Sequence, residues 1–287
     1  MRVHPPADIT VIVNTADDIR MHGLHVSPDL DSVMYALAGR EGPHGWGLRD
    51  ETWHVAEALA ALRAETWFQL GDRDIATNLV RTAALAGGAG LAGATLRLTT
   101  AFGVASRLLP MSEDPVTTRI VTSNGVDLHF QEYLVRHRAE PAVRGVHFEG
   151  AAGARPGPGV LEAIAAAERL VVCPSNPVVS IGPILAVPGI SDAIAACAAP
   201  RVAVSPIIAG APVKGPADRL LAATGSEVSC VGVAALYRDL VDSFVIDVED
   251  AERAGEIRAL GLDVVVAPTL MHTAEDAAAL AKVVMDA

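Results

Sequence analysis

The chain has 287 residues, of which 51% are hydrophobic and only 4% aromatic, and its formal net charge at pH 7 is −12. This composition predicts one α/β domain with a large aliphatic core. Because Lys214 and Lys282 are the only lysines, the sequence lacks the basic surface of a general nucleic-acid binder. It contains neither a membrane-length apolar run nor a signal-peptide pattern. We therefore expect a cytoplasmic protein without a nucleic-acid or membrane partner.

The first patterned element is the β-branched run Asp8–Asn14, which predicts a buried parallel strand. Ligands of open parallel sheets bind beyond the carboxyl ends of strands. Four carboxylates follow this strand: Asp17, Asp18, Asp29 and Asp31. Together they suit a hard cation such as Mg²⁺. Taken singly, each Asp is better explained as a helix cap or turn residue, and only the group as a whole favours a cation site equally.

Helical periodicity next predicts helices over Asp29–Ala38, Arg49–Leu62 and Asp74–Leu85. Two polar motifs lie at predicted helix starts. In GDRD, followed by Asn78 and Arg81, the arginines Arg73 and Arg81 could contact phosphates, or the motif could simply cap a helix. In GWGLRDETWH, the two tryptophans could stack a flat heterocycle, or they could be core residues beside a cap. Composition alone favours the structural alternative for both motifs.

The middle of the chain predicts a β-hairpin. Residues Thr118–Tyr133 form two strand-like runs around Asn124-Gly125, and Asn-Gly between alternating runs is the strongest short-range hairpin signal. We expect a single Rossmann-like domain over residues 1–287, in which residues 40–150 form an inserted helical and hairpin subdomain. The Gly- and Pro-rich run Gly150–Gly159 is the predicted boundary.

Regular α/β alternation returns after this run and predicts a mostly parallel sheet. The predicted strands are Leu170–Cys173, Arg201–Ser205, Phe244–Asp247 and Val264–Ala267, and the predicted flanking helices are Leu161–Glu168 and Ala274–Met285. After the first of these strands, the loop with Ser175, Asn176 and Ser180 has the hydroxyls, amide and backbone N–H groups that favour a phosphate. The alternative is a plain turn stiffened by proline.

The lysine, histidine and cysteine residues give no strong evidence of a further site. Lys214 follows another predicted strand end and could meet a phosphate as a point charge, although a solvated surface lysine is the simpler reading. His22, His25 and His54 could be ligands or bases, but they lack zinc spacing. Cys173, Cys197 and Cys230 are widely separated, so we predict reduced, buried thiols. No nucleophile elbow, Walker loop or dinucleotide fingerprint occurs.

Read together, several long strings resemble the 2-phospho-L-lactate transferase family of deazaflavin coenzyme biosynthesis. The matching strings are VIVNTADDIRMHGLHVSPDLDSVMYALAG, GWGLRDETW, WFQLGDRDIATNLVRT, RLLPMSEDPVTT, HFQEYLVRHR, CPSNPVVSIGPILAVPGI and SPIIAGAPVKGPAD. The resemblance extends from about Asp8 to the C-terminus.

The resemblance implies a specific reaction. The acceptor is a hydroxylated deazaflavin, Fo, with a ribityl tail, and the donor is a guanosine diphosphate linked to lactate or enolpyruvate. The terminal ribityl hydroxyl attacks the distal phosphorus and GMP leaves, which requires positioning and charge neutralisation more than covalent help. The implied cofactor is Mg²⁺, and the implied assembly is a homodimer.

The resemblance also assigns roles by position. Metal binding falls on Asp17, Asp18 and Asp29, with Asp31 behind them. Donor and phosphate contacts fall on Asn14, Thr77, Ser175, Asn176, Ser180 and Lys214. Catalytic contacts near the reacting groups fall on Asp29, Arg73 and Asp74.

One departure from the family pattern concerns the start of the chain. Family members open with a strand, a glycine-rich turn and a helix before the equivalent of Asp8–Asn14, and the sequence begins instead at MRVH. We expect a misplaced start or a truncation. The rival hypotheses are a non-catalytic relative that binds a nucleotide sugar and an inactive truncated homologue.

Overall fold

The structure is a computed structural model that describes residues 3–43 and 45–287; Met1, Arg2 and His44, which fall within the predicted domain, lie outside the described residues. The strands, in chain order, are β1 (Thr10–Val13), β2 (Ile19–Met21), β3 (Leu24–Val26), β4 (Arg107–Pro110), β5 (Thr117–Thr122), β6 (Asp127–His129), β7 (Val143–Glu149), β8 (Leu170–Val172), β9 (Arg201–Val204), β10 (Ile207–Ile208), β11 (Ala211–Pro212), β12 (Ser243–Ile246) and β13 (Asp263–Val266).

The helices are, in the same order, α1 (Pro28–Leu37), α2 (His54–Ala61), α3 (Asp72–Ala86), α4 (Leu91–Phe102), α5 (Val160–Ala165), α6 (Gly182–Ala186), α7 (Ile190–Ala195), α8 (Ala217–Ala223), α9 (Cys230–Tyr237), α10 (Ala254–Ala259) and α11 (Ala274–Asp286). Short 3₁₀ and π-helical turns join several of them.

The parallel strands form two separate sheets, one of two strands and one of four. Strands β1 and β4 pair in parallel, and the other four parallel strands follow the order β13-β12-β9-β8. Both central strands of the larger sheet, β9 and β12, are buried along almost their whole length. Burial on both faces explains why these strands read as continuous Val, Ile and Phe runs rather than as alternating patterns. The predicted α/β class with a parallel sheet is confirmed.

Helices cover both parallel sheets. Leu30 and Tyr35 of α1 and Leu98 of α4 pack against Val13 and Leu108 of the β1–β4 pair. Helices α5 and α7 pack in one cluster with Leu109 of β4 and Leu170 of β8, so they bridge the two sheets. Helix α11 covers β9 and β12.

The predicted hairpin forms at the expected place. Strands β5 and β6 pair antiparallel around Asn124-Gly125, and Gly125 has a φ of +86°, which glycine adopts without steric cost. The sequence analysis missed a third strand, β7, which pairs with the other edge of β5. Ile120, Phe130 and Tyr133 join the core of the larger sheet, so this antiparallel unit packs directly on the α/β core.

Two sequence expectations need correction. The helix predicted over Arg49–Leu62 begins only at His54, because Asp50 has a left-handed φ of +57° and the carboxylate of Glu51 is engaged by α3. The three thiols were expected to be buried, but Cys173 is exposed and only Cys230 is fully buried.

The segment Gly150–Gly159 is packed rather than loose. The Gly157 N–H donates to the Met111 carbonyl at 2.8 Å, and Ala151 and Ala154 are buried. A Cβ atom at Gly157 would lie 2.3 Å from the Pro110 carbonyl oxygen, so close backbone approach requires glycine here. The assignment of residues 40–150 as an inserted subdomain stays a prediction. In the described part of the chain, no helix is both long and apolar enough to cross a membrane.

Candidate active site

Asn14 joins three elements at the carboxyl end of β1. Its side-chain Nδ2 donates to Asp29 Oδ2 at 2.9 Å and to the Val179 carbonyl at 3.3 Å. Its Oδ1 accepts from the Ala16 N–H at 2.9 Å, and the residue is only 3% exposed. The start of α1 and the loop after β8 therefore meet at the end of β1, as expected for a site beyond parallel strands.

Asp17, Asp18 and Asp29 form what we call the carboxylate cluster. Asp18 Oδ2 accepts from Ser27 Oγ at 2.7 Å and lies 2.8 Å from His25 Nε2. In contrast, Oδ1 of Asp17 and Oδ1 of Asp18 are buried without a hydrogen-bond partner among the described residues. An unsatisfied buried oxygen costs free energy, and such atoms call for an explanation such as a missing ion.

Two carboxyl groups of the cluster, Asp17 and Asp29, have raised pKa values. Burial, together with repulsion from Asp29 and Asp18, raises the pKa of Asp17 well above its ordinary value. Burial raises the pKa of Asp29 to about 6, against the hydrogen bond from Asn14, and repulsion from Asp18 adds to the rise. Three carboxylates thus share a buried site with too little positive charge to neutralise them.

A divalent cation fits this donor set. Among residues 3–43 and 45–287, no three or more His, Cys, Asp or Glu side chains form a preformed metal cage. Mg²⁺ does not need one, because it is commonly held by one or two carboxylates with water and substrate phosphates completing the shell. The unpartnered oxygens of Asp17 and Asp18, beside Asp29, supply that number.

His129, at the end of β6, contacts the backbone of the carboxylate cluster at Asp18. The backbone N–H of Gln131 donates to His129 Nδ1 at 3.0 Å, so Nε2 carries the hydrogen and donates to the Asp18 carbonyl at 3.1 Å. Burial lowers the pKa of His129, in keeping with this neutral form. Sequence analysis did not single out this residue, and the only signal for it was its place in the string HFQEY.

The loop after β8 contacts Asn14 through the Val179 carbonyl and carries two serine hydroxyls. Asn176 Oδ1 accepts from the N–H groups of Val178 and Val179 at 2.9 and 3.2 Å, so this side chain caps a helical turn. Within the described ranges, the hydroxyls of Ser175 and Ser180 make no hydrogen bond and stay available to a ligand. The predicted phosphate loop therefore adjoins Asn14, with Asn176 in a structural position.

Reciprocal hydrogen bonds join residues 49–55 to residues 71–74, and we call this pair of segments the clasp. Glu51 accepts from the backbone N–H groups of Arg73 and Asp74, both at 2.9 Å. Asp72 accepts in return from Thr52 Oγ1 at 2.7 Å and from two N–H groups at the start of α2. For these two carboxylates, the helix-cap alternative of the sequence analysis is confirmed.

Arg73, Asp74 and Thr77 share one stretch of α3. Arg73 Nη1 donates to the Arg49 carbonyl at 3.1 Å, and Thr77 Oγ1 donates to the Arg73 carbonyl at 3.3 Å. Asp74 is 8% exposed, and burial raises its pKa to about 6, with further repulsion from Asp31 and Glu51.

For Arg81, the structure favours the structural alternative over a phosphate contact. Arg81 is 1% exposed and forms a buried ion pair with Asp31, while its Nη1 also donates to Asn78 Oδ1 at 2.6 Å. A guanidinium enclosed in this way supports the packing of α1 against α3 and does not reach a ligand.

The remaining candidate residues are a lysine, two tryptophans and a histidine outside the carboxylate cluster. A Cβ atom at Gly45 would lie 3.2 Å from Lys214 Nζ, so the Lys214 side chain reaches the glycine-tryptophan loop. Trp46 and Trp53 are 45% and 37% exposed, which excludes the core-tryptophan alternative. His54 is exposed and lies 3.9 Å from Glu57, away from the carboxylate cluster.

Fold and site together define an α/β protein with a cation-suited carboxylate cluster at the carboxyl edge of its sheet. A family model described as 2-phospho-L-lactate transferase CofD matches residues 2–270. The chain therefore belongs to the 2-phospho-L-lactate transferase family, and thus to a family of transferases.

Named relatives cover nearly the whole chain. The phosphoenolpyruvate transferase of Streptomyces griseus is 48% identical over 284 residues, covering 97% of this chain and 89% of that protein. The 2-phospho-L-lactate transferase of Methanosarcina mazei is 41% identical over 284 residues, covering 99% and 93%. The solved structure of protein BH3568 from Bacillus halodurans has a TM-score of 0.61 at 19% identity, covering 98% of this chain and 94% of that chain. That likeness supports the fold alone.

Proposed function

We propose that this chain is a Mg²⁺-dependent transferase of deazaflavin coenzyme biosynthesis. It moves a phosphoenolpyruvyl or phospholactyl group from a guanosine-diphosphate-activated donor to the terminal ribityl hydroxyl of Fo, and GMP is released. The family match and the activities for which the relatives are named support the reaction type. The observation that carries the proposal is the buried carboxylate cluster, with two unpartnered oxygens, beside the Ser175–Ser180 loop.

Asp17, Asp18 and Asp29 would hold the cation. When bound, Mg²⁺ neutralises the diphosphate and the charge that develops on it during transfer. Asn14 orients Asp29 through its 2.9 Å hydrogen bond, and His25 with Ser27 orients Asp18. Such supporting contacts keep carboxylate ligands in place.

The other residues position the reacting groups. Ser175 and Ser180 offer hydroxyl donors to the donor's phosphates, and Lys214 offers a positive charge at the entrance. Asp29 orients the attacking hydroxyl, while Arg73, Asp74 and Thr77 line the approach from α3. The hydroxyl oxygen bonds to the distal phosphorus and releases its proton to solvent, the bridging P–O bond breaks, and GMP departs with its electron pair. We also expect a cytoplasmic homodimer.

A turnover assay tests the proposal. The full chain would receive Fo with either the lactyl or the enolpyruvyl guanosine donor, with and without Mg²⁺, and the fluorescent products would be separated by chromatography. Mg²⁺-dependent product with one donor would establish the transferase and name its donor. If neither this chain nor a version extended at its N-terminus gives product, while Fo fluorescence shows binding, a non-catalytic binding protein replaces the proposal.

A further inference from the structure

A second candidate site lies outside the carboxylate cluster. A pocket of about 760 Å³ opens between the loop after α1 and the facing sides of α3 and α4. Four arginines line it: Arg40, Arg49, Arg73 and Arg97. In the part of the chain that the structure describes, neither the carboxylate cluster nor the loop after β8 contributes to its lining.

The positive charges of this pocket are not neutralised. Many other arginines of the chain are in ion pairs, for example Arg81 with Asp31 and Arg201 with Asp242. Within the described ranges, none of the four pocket arginines lies within 4.0 Å of a carboxylate oxygen. Asp50 on the rim is the one acidic lining residue among those described. The pocket therefore carries a net excess of about three positive charges in a protein of net charge −12.

Local contacts orient these side chains without cancelling their charge. Arg49 Nη2 donates to the Gly39 carbonyl at 3.3 Å, and Arg73 Nη1 donates to the Arg49 carbonyl at 3.1 Å. The Arg40 guanidinium lies 5.4 Å from the centre of the Phe102 ring, a cation–π distance. Guanidinium groups held in place but lacking an anion are suited to bidentate recognition of phosphate or carboxylate.

Apart from Asp50 and Thr77, the rest of the lining is apolar or glycine. Leu48 and Leu98 are buried, and Val80 and Phe102 complete the wall. A volume of about 760 Å³ falls in the range of pockets for whole organic ligands and is far larger than a bare phosphate needs. The lining thus fits an apolar or aromatic body that carries an oxyanion.

We propose that the four-arginine pocket is a binding site for a phosphate ester with an aromatic body, separate from the carboxylate cluster. Arg97 and Arg40 contribute charge, and Leu48, Leu98 and Phe102 enclose the body. Arg73 and Thr77 also belong to the approach that the proposed function assigns to α3, so the pocket adjoins the transferase site, but the charges of Arg40 and Arg97 do not depend on the transfer reaction. A reactant of the transfer shares the chemistry of the proposed ligand, and loss of binding in Asp29→Asn would identify a reactant as the occupant instead.

The test uses 1-naphthyl phosphate as the probe, titrated into the full chain in the presence of EDTA and followed by fluorescence. We expect saturable binding, with 1-naphthol and inorganic phosphate each binding far more weakly. Arg97→Gln and Arg40→Gln should each weaken binding roughly tenfold to a hundredfold, as expected for loss of a charge-assisted contact. Arg97 makes no internal hydrogen bond or ion pair among the described residues, so its replacement should leave the fold intact.

Two controls decide the location. Arg144→Gln removes an exposed arginine of β7 and should leave binding unchanged, as should Asp29→Asn in the carboxylate cluster. The proposal is overturned if the probe does not bind, if both pocket variants bind normally, or if Asp29→Asn abolishes binding. It is also overturned if sedimentation shows that Arg97→Gln dissociates a dimer, because the pocket would then be a contact between copies.

Discussion

The clasp and the carboxylate cluster are both built from acidic side chains, but the carboxylates of the two regions have opposite environments. In the clasp, Asp72 is surrounded by donors, and the hydrogen bonds from Thr52 and from backbone N–H groups lower its pKa. In the cluster, burial raises the pKa of Asp29 to about 6, and oxygens of Asp17 and Asp18 lack partners. The supply of donors, and not the residue type, separates a structural carboxylate from one that is suited to a cation.

This difference has an energetic meaning. Carboxylates that accept several hydrogen bonds stabilise the fold, whereas buried carboxylates without donors destabilise it unless an ion is bound. Sites that are strained in this way are typical of function. Changes in the cluster should therefore harm activity more than stability, and changes in the clasp should do the reverse.

The largest expected effect is on turnover. Asp29→Asn should lower Mg²⁺-dependent transfer by roughly a thousandfold, because a ligand and orienting group is lost, while the thermal midpoint without metal stays equal or rises. Asp18→Asn should also abolish turnover and leave the fold intact. Asp239→Asn, on the exposed surface, is the control in both assays. Wild-type-like turnover of either cluster variant at limiting Mg²⁺ would remove that residue from the metal site.

Mg²⁺ should stabilise the folded chain through the cluster. A cation at a hundredfold excess over its Kd should add about 2.7 kcal/mol to the free energy of unfolding, measured by urea denaturation with and without Mg²⁺. Asp29→Asn should remove most of this gain, whereas Glu57→Gln on the surface of α2 should keep it. An equal gain in the Asp29 variant would show that the cation binds elsewhere.

Asp74 should give a pH-dependent effect with a defined sign. Because burial raises its folded-state pKa from 3.8 to about 6, the folded chain holds the proton more tightly, and stability is lost as pH rises through this interval. Asp74→Asn cannot ionise, so it should gain about 1–3 kcal/mol over the wild type between pH 4 and pH 7.

Denaturation across this pH range measures the gain for Asp74→Asn. Asp242 is the control of opposite sign, because its hydrogen bond with Arg201 lowers its pKa. Asp242→Asn should be less stable than the wild type above about pH 4, and this difference should shrink as the pH falls below that value. A flat difference for Asp74→Asn would mean that this carboxyl ionises normally.

The smallest expected effect concerns the clasp. Glu51→Ala leaves the N–H groups of Arg73 and Asp74 at the start of α3 without their acceptor and should cost about 1 kcal/mol of stability. Urea denaturation measures this cost, with Glu57→Ala as the exposed control. If Glu51→Ala instead lowered turnover as strongly as Asp29→Asn at unchanged stability, the distinction between clasp and cluster would fail.

Much of the fold and part of the site could be predicted from local patterns. The runs at β1, β8, β9, β12 and β13 are continuous and β-branched, and the Asn124-Gly125 turn determines its own geometry. The carboxylates Asp17, Asp18 and Asp29 could be singled out because they follow the end of one predicted strand within about fifteen residues. In each case, the signal and the structure it produces lie in the same short segment.

The pairings between distant segments could not be predicted. Glu51 was predicted to lie within a helix, but it accepts two N–H groups of α3. For Arg81 the sequence left a phosphate contact and a structural role open, and the ion pair with Asp31 favours the structural role. His129 reaches Asp18 across more than a hundred residues of sequence. Local periodicity carries no information about which distant residue will form a hydrogen bond or an ion pair with a given side chain.

The sequence by itself thus determined the α/β class, the central strands, the hairpin and the identity of the acidic cluster, because hydrophobic periodicity and strand-end polarity are local properties. Only the tertiary structure decided which carboxylates are satisfied and which are not, where four arginines converge, and that Asn14 joins β1, α1 and the loop after β8. Those outcomes depend on burial and on the count of hydrogen-bond donors around each group, and these exist only once the chain has packed.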